Sequence, residues 1–505
     1  MWGVAARPII VEYRADPELA RQATSAARAL EPERLSHVLS DELAFDIAFA
    51  PVPTTTDTYL LRAEADEAQI EALRAQDAVA GVFSDPVIEP CVTCIDSPPL
   101  GDDAALEGLL RVADLRACGM DGAGVMVAIV DGGVNVAYLA EHGKHPAFSP
   151  EASWGFAFGV RPGSVAVGHG TMCAFDACIA APACTLVDIA VLRPFSPITS
   201  GLGALLSDAI RAYSHLQGLM SAAERPRALV VSNSWGMFHP SWDLPPGDPG
   251  NYSDNPDHPF NRSVGALAAL GADILFAAGN CGPQCPDGRC QGVSSNAIYG
   301  ANGHPAVLTV AGVDVAGERV GYSSIGPGRL ADRKPDVSGY THFKGSEVFE
   351  ADGGTSAATP VVAGMVAAVR SKRPFDPADP ATSPAAIRDL LAATARDIGA
   401  AGFDYEHGHG VVDGGRLHDE LCEEPRALLQ FRHEGGMPAM ADVLQAFALD
   451  AGDVDAEYGV VATDPADDLY VVRIDARAAA KLRAAPSSDR AEGVFGDPRI
   501  EPVGP

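Results

Sequence analysis

An aspartate, a histidine and a serine stand in three short settings that suit acyl-transfer chemistry. Asp131 closes the apolar run GVMVAIVDGG (124–133), His169 sits between glycines in VGHGTMCAFD (167–176), and Ser356 lies within DGGTSAATPVVAG (352–364). A serine hydroxyl is a weak nucleophile until a neighbouring base takes its proton, and a carboxylate then orients that base and supports its positive charge. The order Asp, His, Ser along a chain is one of the few in which such a constellation occurs.

Each residue also has a plainer reading. Six apolar residues before Asp131 put its carboxylate where a buried strand ends, a costly place unless a cation or hydrogen bond meets it; the alternative is a turn or helix-cap aspartate. His169, bracketed by Gly168 and Gly170 and followed by Thr171 and an Ala-rich helix, fits a site that backbone must approach closely; the alternative is a surface histidine. Ser356 opens a helical stretch. A capping serine there is worth roughly 1 kcal/mol, but the same position exposes Oγ and sets backbone N–H groups beside a developing oxyanion. Pro360 is expected in the first turn, where its missing N–H costs nothing. Asn280 ends FAAGN (276–280), where its amide can donate a second oxyanion bond; its alternative is a turn before Cys281-Gly282.

The elements that must position these groups are short Val/Ile/Leu runs at 125–130, 185–192, 228–233, 272–278 and 306–313, separated by Ala-rich helical stretches. Near-continuous apolar strands alternating with helices predict an α/β fold, a parallel sheet with helices on both faces. Ligands gather at the carboxyl ends of such strands, where Asp131, Asn280 and Ser232-Asn233-Ser234 stand. The flanks contain a repeat. GVFSDPVIEP (81–90) returns as GVFGDPRIEP (493–502), identical at eight of ten positions, with TYLLR (58–62) echoed by LYVVR (469–473) and IVEYR (10–14) by LLQFR (428–432). Helical stretches at 17–30 and 64–75 in one copy, and 438–449 and 475–484 in the other, make each a small α+β module of split βαβ, ferredoxin-like type. The expected divisions are a first module at 1–95, a linker at 96–105, a main domain at 106–421 and a second module at 422–505. Residues 237–262, rich in Pro, Asp and Asn, read as a solvated rim loop in which Asp254, Asn255 and Asp257 could also hold calcium.

The bulk composition narrows the partners. The chain has 505 residues, 67 acidic against 36 basic, and a net charge of −31, which excludes the basic face that nucleic acid binding needs. No 18-residue apolar run suggests a membrane span. The amino terminus lacks a basic stretch leading into an apolar one, so the expectation is a cytoplasmic protein, with secretion as the alternative. Of ten cysteines, Cys173, Cys178 and Cys184 lie in apolar sequence and read as small buried hydrophobes. Cys281, Cys285 and Cys290 fall in a Gly/Pro loop that admits a disulfide or a metal site.

With VAIVDGGV, GHGT, VVSNSWG, FAAGN and GTSAATP in this order, the chain resembles the subtilisin-like serine peptidase (subtilase, S8) family over about 106–420, including GYSSIGPG (321–328), KPDVSGY (334–340) and HGHGVVDG (407–414). The resemblance implies a serine endopeptidase acting on polypeptides: Ser356 attacks, His169 is general base then acid, Asp131 orients it, and Asn280 with the Ser356 N–H holds the oxyanion. It also implies a substrate-binding surface of Ser232, Ser234, Trp235, Gly236, Ala278 and Gly279. The first module resembles the family's inhibitory propeptide, whose tail, here 91–100, would cross the active site; a second copy at the carboxy end departs from the usual arrangement and reads as a second inhibitory or docking module, with a structural partner for the first as the alternative. The alternative is a catalytically silent peptide-binding or scaffold protein on the same fold. No cofactor is required; calcium sites are common in the family, but none can be matched to residues here. The Cys-rich loop after Asn280 is likewise not general to the family.

Overall fold

The computed structural model describes residues 6–14, 44–46, 49, 51–54, 58–91, 98–155, 161–194, 202–422, 426–464, 467–484 and 491–496. They fall into two compact units, Met1–Leu417 and His418–Pro505.

The first unit begins with an antiparallel sheet. β1 (Arg7–Arg14) lies between β4 (Thr58–Ala65) and β5 (Val79–Ser84), and the short β2 (Ala44–Phe45) and β3 (Val52–Pro53) pair with β4. α1 (Glu67–Arg74) starts at a capping box, in which Asp66 accepts from the Gln69 N–H and the Gln69 side chain accepts from the Asp66 N–H, satisfying two donors that a helix start leaves open. Its Ile70 and Leu73 join Ile9, Val11, Leu61 and Val82 in one small core. The expected helix at 17–30 lies outside the described residues. The tail β6 (Val87–Pro90) leaves this sheet.

The main domain is built on parallel strands in the order β14-β13-β12-β10-β7-β8, namely Val337–Tyr340, Leu308–Val313, Asp273–Ala277, Leu229–Asn233, Met126–Asp131 and Thr185–Ala190. Strand side chains alternate between faces. Ala128, Val130, Val187, Ile189, Val231, Ile274 and Phe276 point into one apolar core beneath α3 (Leu206–Ser221) and α4 (Pro259–Ala269). α2 (His169–Ala180) packs against α5 (Gly354–Lys372) and β7, and α5 lies along the central strands. Two short strands, β9 (Leu202–Leu205) and β11 (Trp235–Gly236), stand outside the main sheet.

The second unit repeats the first module's strand order. β15 (Ala427–Arg432) sits between β17 (Leu469–Ile474) and β18 (Ala491–Gly496), with β16 (Val460–Asp464) outside β17, all antiparallel. α6 (Met440–Phe447) and α7 (Ala476–Ala484) cover it, and Leu429, Phe431, Val443, Phe447, Tyr470 and Val472 form its core. The α/β fold with a parallel sheet, and an antiparallel module in each flank, is as the patterning predicts. Among the described residues no helix is long and apolar enough to cross a membrane.

Candidate functional site

The site lies at the carboxyl ends of β7 and β10 and the amino ends of α2 and α5. Asp131 is the last residue of β7 and His169 the first of α2. His169 Nδ1 meets Asp131 Oδ1 at 3.0 Å and Oδ2 at 2.9 Å, with both residues buried. Asp131 Oδ1 also accepts from the Gly132 N–H at 2.7 Å. The carboxylate at the buried strand end thus finds the partners its burial requires. Directly beneath, the Cys173 thiol lies 3.9 Å from Asp131 Oδ2 and 3.8 Å from His169 Nδ1. Burial, and then the Asp131 charge, push that thiol's pKa well up, so it stays protonated. Among the described residues His169 Nε2 has no hydrogen-bond partner.

Ser356 sits in the first turn of α5. Its Oγ lies 2.8 Å from Cys91 O and 3.0 Å from Ser234 O. The helix starts at Gly354, so Pro360 falls in the second turn rather than the first. A proline there leaves the carbonyl four residues back without its helix donor. That carbonyl is Ser356 O, and it accepts instead from Ser234 Oγ at 2.9 Å and from the Cys173 thiol at 3.6 Å. Pro360 therefore ties the Ser356 turn to Ser234, between β10 and β11, and to α2, a link that local sequence does not reveal.

Asn280 Oδ1 accepts from Thr355 N at 3.0 Å and Thr355 Oγ1 at 2.9 Å, which turns its amide nitrogen towards Gly354. Gly354 has φ +75°, and a Cβ there would lie 2.3 Å from Cys91 O and 2.9 Å from Asn280 Nδ2. Only glycine leaves room for a carbonyl oxygen to sit beside this amide. The neighbouring Ala278 N donates to Val310 O of β13, and Gly279 N donates to Thr355 Oγ1 at 3.2 Å, which braces the Ser356 turn. Ser232 lies inside β10, paired with Ile129 and Leu275.

What fills the cleft is the first module's own tail. β6 pairs antiparallel with β11 (Trp235↔Pro90, Gly236↔Glu89) and with β9 (Ala204↔Ile88, Leu205↔Val87). Cys91 N donates to Ser234 O at 3.2 Å, which brings the Cys91 carbonyl to Ser356. The expected crossing at 91–100 thus begins earlier, at Val87. Residues 92–97 lie outside the described residues, and Leu100 N donates to His342 O at 2.8 Å beyond the site. The backbone-to-backbone strand addition is β-augmentation.

The rest of the module docks on the expected rim loop, 237–262. Asp243, buried, accepts from Ser84 Oγ and from the N–H groups of Leu244, Tyr252 and Ser253. Arg74 pairs with Asp248 at 2.6 Å and Glu12 with Arg262 at 2.8 Å. Asn255 donates to Pro249 O at 2.6 Å and accepts from Asp257 N at 2.9 Å. On the other side Asp85 accepts from Ser207 N at 2.7 Å at the start of α3, and Arg62 reaches Asp208 at 2.8 Å. The loop's polar composition, read as solvation, is a docking surface whose partners lie far away in sequence.

The Cys-rich loop is covalently closed. Cys281 is bonded to Cys290, and Cys285 also forms a disulfide, so the metal alternative for the three is excluded. Cys173, Cys178 and Cys184 are free and buried. Among the described residues, Asp131, His169 and Cys173 are close enough to share an ion, but sulfur and nitrogen donors do not suit calcium, which takes oxygen ligands.

The description "Subtilase family" matches residues 122–410. The chain is 29% identical over 154 residues to Subtilisin DY of Bacillus licheniformis, covering 30% of this chain and 49% of that protein. It is 31% identical over 176 residues to the Thermostable alkaline protease of Halalkalibacterium halodurans (32% and 42%), and 31% identical over 150 residues to Subtilisin of Bacillus pumilus (30% and 48%). In each case the chain spans about half the length of the curated relative.

Proposed function

From the premise that this chain belongs to the subtilase family, we propose that it is a serine endopeptidase held closed by its first module. The observation that carries this is the strand Val87–Pro90, laid on Trp235–Gly236 and ending with the Cys91 carbonyl at Ser356. In this reading Ser356 Oγ attacks the carbonyl carbon, and His169 Nε2 takes its proton and later returns it to the leaving amine. Asp131 holds the ring through Nδ1 and supports the imidazolium. The Asn280 amide and the Ser356 N–H receive the oxyanion, and Ser234 to Gly236 align the substrate backbone.

In the closed state the Ser356 hydroxyl has one proton to donate and two carbonyls within reach, Cys91 O and Ser234 O. In this reading it gives up those contacts to donate to His169 Nε2, which has no hydrogen-bond partner among the described residues. The bond after Cys91 is then the natural self-cleavage point, and the tail remains as a product-like inhibitor until the module leaves. The second module carries counterparts of the docking residues: Arg473 for Arg62, Arg483 for Arg74, Phe495 for Phe83, and Ile500-Glu501-Pro502 for Ile88-Glu89-Pro90. We assign it a regulatory role of the same kind. The disulfides favour an oxidising compartment, hence the secreted alternative.

Ser356→Ala is expected to abolish peptide hydrolysis and labelling by a fluorophosphonate probe. Mass spectrometry of the wild-type chain should then show a break after Cys91 that the variant lacks. Equal labelling of the two chains would return the protein to the silent-scaffold reading.

A further inference from the structure

We propose that Arg289, held in the loop that the Cys281–Cys290 disulfide closes, makes this cleft selective for Ile-Glu-Pro-X peptides by binding the glutamate. The contact stands by itself; its consequence for substrate choice rests on the peptidase reading above.

Arg289 is held by its own loop as well as by the tail. Its Nε donates to Asp287 Oδ1 at 2.9 Å and its NH2 to Asp287 Oδ2 at 2.8 Å, a two-point grip. Its guanidinium carbon lies 3.7 Å from the centre of the Phe238 ring. Asp287 N donates to Asn280 O at 2.9 Å, which fastens the loop next to the oxyanion asparagine. The remaining donors reach the tail: NH1 to Glu89 Oε2 at 2.9 Å and NH2 to Pro90 O at 2.9 Å. A planar fork fixed in this way loses little side-chain freedom when it takes up a carboxylate.

The pair is partly desolvated, with side-chain exposures of 25% for Arg289 and 17% for Glu89, so it is less screened than a surface pair. Its range is short because Asp287 already offsets the Arg289 charge. At 0.1 M salt, fields fade over about 10 Å. A net charge of −31 therefore does not keep an acidic peptide from this one cation. Discrimination arises from direct charge-assisted hydrogen bonds, which sets its scale at about tenfold rather than several thousandfold.

The flanking positions fit the same triplet. Pro90 has no N–H, and it stands opposite Trp235, while the ladder bond is made by the next residue, Cys91 N to Ser234 O. Ile88 is fully buried between its neighbours. The chain contains this triplet a second time, as Ile500-Glu501-Pro502, although the residues on either side differ (Val87 against Arg499, Cys91 against Val503). The shared triplet includes the one residue whose side chain Arg289 binds, Glu89.

The test uses the full chain and pairs of competing substrates, acetyl-Ile-Glu-Pro-Ala-aminomethylcoumarin against its Gln and Lys counterparts. The ratio of kcat/KM values in one mixture does not depend on how many clefts are open. Glu should be favoured over Gln by about tenfold, and Arg289→Gln should bring the ratio to about one. The peptide Arg-Ile-Glu-Pro-Val, the sequence of 499–503, should inhibit about tenfold better than its Gln form. An unchanged Glu-to-Gln ratio in Arg289→Gln overturns the proposal. If no peptide is cleaved, the peptidase reading has failed, and amide exchange in the Ser356→Ala chain decides the contact. Arg289→Glu or Glu89→Arg alone should speed exchange at Ile88 and Cys91 by about tenfold, the double variant should restore protection, and equal exchange in all four chains overturns it.

Discussion

A hydroxyl has a single proton, and in this structure Ser356 directs it to the carbonyls of Cys91 and Ser234 rather than to His169. The fixed parts are elsewhere. Asn280 is locked by two bonds from Thr355, and Ser356 O by Ser234 and Cys173, because Pro360 cannot donate to it. Asn280→Ala is therefore expected to lower kcat by about 10²–10³ with little change in KM, since its amide acts on charge that develops only in the transition state; steady-state kinetics on a fluorogenic peptide check it. The places of Asp131, His169, Asn280 and Ser356 in the chain were legible as motifs. Arg289 was not, because nothing in CGPQCPDGRC marks one arginine as facing a strand 200 residues away.

At the scale of elements, the first module is held by a strand and by a set of buried polar contacts. Asp85 lies fully buried at the start of α3 against Ser207 and Arg62. Burial pushes its carboxyl up to about 6, although Arg62 and the Ser207 donors pull the other way. Released, the same carboxyl returns to its ordinary value near 3.8. A group whose docked pKa is raised binds its proton more tightly when docked. Its contribution to docking is complete below the free value and is lost as pH rises through about 6. Module docking should weaken from pH 4 to pH 7, read as faster amide exchange of Val87 to Cys91 in Ser356→Ala after correction for intrinsic rates. Asp85→Asn should flatten that dependence, and corrected exchange in Ser356→Ala that slows as pH rises would refute the argument. The same elements show why 237–262 was misread. Asp243, Asp248 and Arg262 look like solvated charge in sequence, and only Ser84, Arg74 and Glu12, brought in from the other module, give them partners.

At the scale of the molecule, two related modules flank one parallel-sheet domain. At equivalent positions Phe83 is 7% exposed in the first module and Phe495 is 51% exposed in the second. The ring that packs against His258 in the first copy is exposed in the second. Deleting 423–505 should change the rate of peptide hydrolysis without lowering the thermal midpoint of the main domain, because the second unit has its own core. Calorimetry and kinetics on the truncated chain test the two halves of that statement, and unchanged kinetics would make the module a structural appendage.

The sequence by itself determined the sheet, the order of the reactive residues and the duplicated module. These depend on local patterning: apolar runs that must be buried, glycines that admit close approach, and strings long enough to match one another. Only the tertiary structure decided which residues enter the cleft, that a disulfide-closed loop carries the arginine that reads them, and that a polar insertion is a docking face. Those outcomes depend on contacts between segments far apart in the chain, where hydrogen bonds and ion pairs gain their strength from a shared burial that neither segment has alone.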